Sequence, residues 1–342
     1  LFGDDGRDTI HGNADNDTIE GGTGTDLLYG DSGNDNISGG NENDFLYGGD
    51  DNDVMSGDDG DDYFEAGLGN DQMFAGLGSD LLVQIIDADQ TLTNSTLSGQ
   101  GSDTFNEMER VHLYGGPSAN VFDVSLATFG VAFLFGAGGT DRVSANGDVD
   151  YLLSDWALRK SLGGTLGLDS IEDATLTGGP SSNTFELTDW TGTATLAGAA
   201  GDDRLVVRQL SSAVLTDANL ARSSGAPIAI GSIENAVLVG GLGNDVLDAS
   251  AFSGLVELSG GEGDDTLRGG SGDDILDGGR GTDAIFGGAG IDRITAGPGA
   301  NGTIDAGPGD DIIEGSNDGA DTILGGAGID RISGFAGNDL IS

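Results

Sequence analysis

Apolar and polar positions alternate over a few residues, break at a glycine-rich turn, and resume nine residues later. Between residues 3 and 83 this unit runs nine times without a slip. An Asp closes each turn, at Asp8, Asp17, Asp26, Asp35, Asp44, Asp53, Asp62, Asp71 and Asp80. Two positions after each comes an apolar side chain: Ile10, Ile19, Leu28, Ile37, Leu46, Met55, Phe64, Met73 and Leu82. One inward residue per unit means a very short strand, too little to build a core alone. Repeated this strictly, turn and strand predict a solenoid whose coils bury one another's apolar faces.

A second array runs from 260 to 342. Its acids are Asp265, Asp274, Asp283 and Asp292, then Asn301 in place of an acid, then Asp311, Asp321, Asp330 and Asp339. Single-residue insertions near Gly302 and Gly319 stretch the spacing from nine to ten. The octapeptide GGAGIDRI stands at both 287–294 and 325–332, which points to duplication.

The middle, 84–259, looks irregular until it is laid against itself at a period of 62 to 63. MERVHLYGGPSANVFDV from Met108, IEDATLTGGPSSNTFEL from Ile171 and IENAVLVGGLGNDVLDA from Ile233 align without a gap. Asp141, Asp203 and Asp265 then recur at a spacing of 62. The segment reads as three long repeats of a wider β-solenoid, at roughly 20 residues per coil and about three coils per repeat. Ala194–Ala197 and Leu255–Leu258 alternate as short strands. Asp155 to Ser161 is the one stretch that suggests a turn or two of helix. The fold class expected is therefore all-β: blocks 1–83 and 260–342 as regular rolls, 84–259 as the long repeats between them.

Charge sharpens this picture. Fifty-nine acids face 12 bases, a net charge of -47, and residues 1–80 hold 21 acids against Arg7 alone. Such a density of like charge expands a chain unless cations neutralise it. Here the acids keep register with glycines and apolar residues, which a merely solvated acidic surface does not require. Sixty-five glycines without a three-residue period exclude collagen. With 6% aromatics and five prolines the core is thin layers of Leu, Ile and Val. No cysteine is present, so disulfides and thiolate metal sites are excluded.

GGTGTDLLY, GGSGDDILD and GGAGIDRIS fit G-G-x-G-x-D-x-(apolar)-x. On these residues the chain resembles RTX, or hemolysin-type, calcium-binding nonapeptide repeat proteins, and the resemblance implies a parallel β-roll that binds Ca²⁺. Two nonapeptides make one flattened coil, so residue i lies over residue i+18. Glycines expose turn carbonyls and the Asp adds carboxylate, a hard-oxygen set suited to calcium and unlike zinc or copper sites. The resemblance also implies that one Asp bridges the ions above and below it. Expected partners run from Asp8 with Asp26 to Asp62 with Asp80 in the first array. In the second they are Asp265 with Asp283, Asp274 with Asp292, Asp292 with Asp311, Asp311 with Asp330, and Asp321 with Asp339. The last three require the insertions to bulge outward, and sites using Asn301 lose a charge. Asn120 and Asn183, in GGPSAN and GGPSSN, lack the following Asp, so those turns are expected to hold themselves together without calcium. Asp103 and Asp245 are candidate isolated ligands.

No active site is legible. His11 and His112 are a hundred residues apart and read as surface side chains. Neither H-E-x-x-H nor G-x-S-x-G occurs. The repeat already explains the carboxylates, so the segment reads as no enzyme. Nucleic acid is excluded by repulsion of phosphate. No apolar run approaches a membrane span, so no membrane insertion is expected.

The outward position after the Asp is no Thr/Asn ladder of the ice-binding kind. In alternate repeats it reads Leu27, Phe45, Tyr63 and Leu81, with Tyr29, Tyr47 and Val83 beside them. This stripe is expected to mediate lateral self-association through Phe45, Tyr47 and Tyr63, or else to shield strands locally. The chain begins and ends inside a repeat, which reads as a slice of something longer and allows end-to-end continuation into a fibre. The resemblance implies bacterial origin, export by a one-step (type I) secretion system, and an extracellular or cell-surface location. Two functions are expected: a calcium-stiffened structural segment of an adhesin, surface-layer or filament protein, or a calcium-triggered folding module behind an exported enzyme or toxin.

Overall fold

In the first array every glycine-rich turn carries the chain from one sheet to the other, and each strand lies parallel on its counterpart 18 residues earlier. Leu28 pairs with Leu46, Leu46 with Phe64 and Phe64 with Leu82. On the second sheet Ile19, Ile37, Met55 and Met73 form the same column. All eight side chains are buried. The two columns meet as the core, one apolar layer from each sheet, which is all a nine-residue period can supply.

These relations come from a computed structural model that describes residues 1–128, 131–299 and 302–342. By contact the chain divides into two compact units, Leu1–Gly147 with Asp155–Thr175, and Asp148–Ser154 with Leu176–Ser342. Each is built from short strands, with no helix among the described residues. The first unit holds the array just described. The second holds the columns Leu258, Leu276, Ile294, Ile313 and Leu267, Ile285, Ile304, Ile323. Ile285 pairs with Ile304 and Ile294 with Ile313, offsets of 19, so the strand register survives the insertion.

The long repeats differ from the expectation of about three coils. In the second unit Thr184–Leu187 and Val246–Ala251 are repeat counterparts, yet they lie in different sheets. The same holds for Thr193–Ala197 and Leu255–Glu262. One repeat therefore advances an odd number of half-coils, and successive copies present the same sequence on opposite faces.

A three-stranded meander makes up the length. Of Ser212–Thr216, Asn219–Arg222 and Ile228–Gly231, each runs antiparallel to the next. The first pairs parallel with the later strand Val246–Ala251, the last with the earlier strand Thr193–Ala197. The chain thus overshoots by two strand positions and doubles back. In the first unit Gln90–Leu92, Thr96–Ser98 and Ser102–Asn106 do the same, pairing with Val121–Asp123 and Gln72–Leu77. Leu92 and Leu97, and Leu215 and Leu220, bury the folded-back pair. Ala157–Lys160, where helix was expected, is an antiparallel strand on Thr165–Asp169. The repeated hairpin and the buried Leu158 decide it.

A buried Lys160 and a half-buried Arg222 fasten these insertions. Lys160 donates from Nζ to the Val124 carbonyl at 2.7 Å and to the Ala127 carbonyl. In the second unit Arg222, at the same repeat position, donates to the carbonyls of Trp190, Gly192 and Ala226. Each charge is met by several backbone carbonyls, which offset the cost of taking it out of water.

Both histidines lie on outer sheet faces. His11 stacks on Tyr29 at 4.4 Å, and His112 sits edge-on to Phe133 at 5.2 Å.

Candidate metal centres

The Asp that closes each turn of the first array is buried from Asp26 onward. Its Oδ1 accepts the backbone N–H of the Asp one coil earlier. Asp8 donates to Asp26 at 2.8 Å, Asp26 to Asp44 at 2.8 Å, Asp44 to Asp62 at 2.8 Å and Asp62 to Asp80 at 2.7 Å. Along the other edge Asp17 donates to Asp35, Asp35 to Asp53 and Asp53 to Asp71. Both ladders end in a longer coil, where Asp71 donates to Asp103 and Asp80 to Glu109.

The second oxygen is different. Oδ2 of Asp8, Asp26, Asp35, Asp44, Asp53, Asp62, Asp71 and Asp80 is buried with no hydrogen-bond partner. A row of bare carboxylate oxygens in a protein interior is costly unless something positive meets it. The surrounding groups are turn carbonyls. A Cβ on Gly21 would stand 2.5 Å from Asp26 Oδ2 and 2.6 Å from the Gly39 carbonyl oxygen. Among the described residues no three His, Cys, Asp or Glu side chains converge on one point. An ion here would take one carboxylate per turn and complete its shell from backbone oxygens, a donor set that fits calcium.

Turn conformation opens this space. The residue four before each of these Asp has left-handed φ: Gly22 at 112°, Asp31 at 73°, Gly40 at 112°, Gly49 at 115° and Asp58 at 72°. Glycine or a short polar residue adopts that conformation at least cost. Burial pushes the carboxyls of Asp44, Asp53 and Asp71 up to about 7 and that of Asp62 up to about 6. Hydrogen bonds from the preceding coil oppose the shift, and neighbouring carboxylates add to it. Without a cation the ladder holds protons that an acidic side chain normally loses.

The second array repeats the pattern in part. Asp265 donates to Asp283, Asp274 to Asp292, Asp292 to Asp311, Asp311 to Asp330 and Asp321 to Asp339. Bare Oδ2 atoms are found at Asp265, Asp283, Asp292 and Asp311. Asp245, Asp274 and Asp321 instead accept an amide from their own turn, Gly241, Gly270 and Ser316. Asn120 and Asn183 do likewise with Gly116 and Gly179, as their missing acid suggested. Asn301 lies outside the described residues.

Two acids with the open geometry were passed over in reading the sequence. Asp141 and Asp203 are buried, have bare Oδ2 atoms, and follow Ala137 at φ 72° and Ala199 at φ 78°. Asp141 pairs at spacings other than 18. Its coil is longer: Asn120 donates to it at 2.8 Å, and it donates to Glu172 at 3.0 Å. GAGGTDR and GAAGDDR carried the signal.

The RTX calcium-binding nonapeptide repeat pattern matches residues 1–28, 29–64, 47–82, 230–251, 259–294, 286–318 and 316–342, together more than half of the chain. No curated protein matches the chain. Among solved structures it is similar to the extracellular lipase LipA from Serratia marcescens, at 15% identity and a TM-score of 0.20. That similarity covers 63% of this chain and 40% of the lipase.

Proposed function

The chain belongs to the RTX calcium-binding nonapeptide repeat family, and from that premise we propose that it is a calcium-stiffened structural segment of a large secreted or cell-surface protein, of adhesin, surface-layer or filament type. Its repeats bind Ca²⁺ at multiple sites and are not themselves catalytic.

The observation that carries the reading is the row of bare Oδ2 atoms along both edges of the first array. Calcium supplies there the positive charge and the oxygen coordination that the protein alone lacks. The carboxylates of Asp26, Asp44 and Asp62 on one edge, and of Asp35 and Asp53 on the other, would hold it with turn carbonyls. Each such residue already staples one coil to the next through Oδ1, so an ion at Oδ2 fixes neighbouring coils at both oxygens. A ligand bound only by the folded form adds its binding free energy to stability. Roughly millimolar extracellular calcium suits sites of this kind.

The fastening of the long repeats by Lys160 and Arg222 favours a structural segment over a folding module, which needs only one array. Circular dichroism with and without chelator tests the calcium dependence. A β spectrum gained on adding calcium is expected. An unchanged spectrum in excess chelator sinks the proposal.

A further inference from the structure

Among the described residues five turns close on themselves, and three of them carry an Asp that the repeat pattern alone would count as a ligand. We infer that Asp245, Asp274 and Asp321 are calcium-free turn caps, and that in the second array calcium is held only where two open turns are stacked. This rests on the calcium-binding reading of the open turns.

Gly270 and Gly288, one coil apart, show the difference. Gly270 lies outside the left-handed region, and its N–H donates to Asp274 Oδ2 at 2.6 Å. Gly288 has φ 110°, its N–H donates to the Ala306 carbonyl at 3.1 Å, and Asp292 Oδ2 is left bare. In the closed turn the positive end of a peptide dipole occupies the approach a cation needs. Asp274 Oδ1 is taken as well, by the Val256 amide at 2.9 Å. Asp321 accepts from Ser316 N–H and Oγ on Oδ2 and from Gly302 on Oδ1.

The task needs an acceptor and no charge. Asn120 and Asn183 perform it with a neutral oxygen, at 2.9 Å from Gly116 and 2.7 Å from Gly179. Position agrees. Each closed residue donates its own N–H upward to an open-turn Asp: Asn120 to Asp141, Asn183 to Asp203, Asp245 to Asp265, Asp274 to Asp292 and Asp321 to Asp339. Beneath Gly270 lies the end of the strand Val246–Ala251 with Phe252, and a Cβ on Gly270 would run into the Phe252 and Ala249 carbonyls. With no matching turn below to complete a cage, the carboxylate turns onto its own amide. At Asp274 the closed turn is the floor of a stack, whereas Asp321 closes within one, above the strand Thr303–Asp305.

The test compares bound calcium per chain, by equilibrium dialysis of the full chain, in Asp245→Asn, Asp274→Asn and Asp321→Asn against Asp283→Asn and Asp311→Asn. The closed-turn variants should keep the parent's stoichiometry, with midpoints within about twofold. The open-turn variants should each lose at least one ion. Loss of an ion from a closed-turn variant equal to that at Asp283→Asn overturns the inference while leaving calcium binding intact. A parent chain that binds no calcium overturns the underlying reading instead. Asp245→Asn copies the turn that Asn120 and Asn183 already make, and decides the matter if Asp274→Asn does not fold.

Discussion

The backbone N–H of Asp44 donates to Oδ1 of Asp62 at 2.8 Å, one coil further along, while Oδ2 of Asp62 is buried and bare. One carboxylate thus staples two coils and presents an oxygen to the turn. The roles separate by substitution. Asp62→Asn keeps an acceptor for Asp44 and loses only charge, so the array should fold in calcium with weaker affinity. Asp62→Ala also orphans the Asp44 amide, at a further cost of about 1–3 kcal/mol. Calcium-dependent thermal unfolding of the pair checks this; equal midpoints would show that the staple is idle.

Asp44→Ala should cost more bound calcium than Asp141→Ala. Both residues have a bare Oδ2 and accept an amide from the coil below. Asp44 lies between the open turns of Asp26 and Asp62, whereas Asp141 lies above the closed turn of Asn120 and below Glu172. Isothermal titration distinguishes them, and equal loss counts against the pairing of open turns.

Acid should order the calcium-free first array. Its buried carboxyls at Asp44, Asp53 and Asp71 are raised to about 7 and Asp62 to about 6, against about 4 in an unfolded chain. A raised folded-state value means the fold binds the proton more tightly. The resulting stability is fully present below about 4 and is lost as pH rises through about 6 to 7. With calcium the dependence reverses, because protons compete for the same oxygens. Circular dichroism in calcium-free buffer should show β structure fading between pH 5 and 8, as ordered by those values. Structure gained over that rise refutes the assignment.

Lys160→Met should destabilise the first unit by about 1–3 kcal/mol, since it leaves the Val124 and Ala127 carbonyls without their charged donor. The loss should be the same with calcium or chelator, because no carboxylate ladder is touched. Arg222→Met should act likewise in the second unit. Urea unfolding in both conditions is the measurement, and a calcium-dependent loss would tie these cations to the metal sites.

The outer face of the first array stacks His11 on Tyr29 at 4.4 Å and Tyr29 on Tyr47 at 4.7 Å, with Phe45 tilted against Tyr63 at 5.7 Å. If chains associate laterally through this face, replacing Phe45, Tyr47 and Tyr63 by Ser should lower the sedimentation coefficient and spare calcium binding. An unchanged coefficient assigns the rings to the strand ladder alone.

The arrays were legible in the sequence because a coil touches only the coils beside it. A nine-residue period with one inward side chain and one turn acid therefore determines both the columns, such as Leu28, Leu46 and Phe64, and the carboxylate ladder. The meanders were hidden. LTNSTL and LTDANL read as two short strands and an Asx turn, but pairing Gln90–Leu92 forward and Ser102–Asn106 backward is a non-local choice. The odd number of half-coils per long repeat follows from that choice. Turn state was hidden too. GGSGDD at 269–274 matches the repeat as well as GGAGID at 287–292 does, yet Asp274 closes on Gly270 and Asp292 stays open. What differs is the neighbour below: the strand end at Ala249–Phe252 offers Gly270 no matching turn, and the free energy of one flipped peptide is decided by contact across coils.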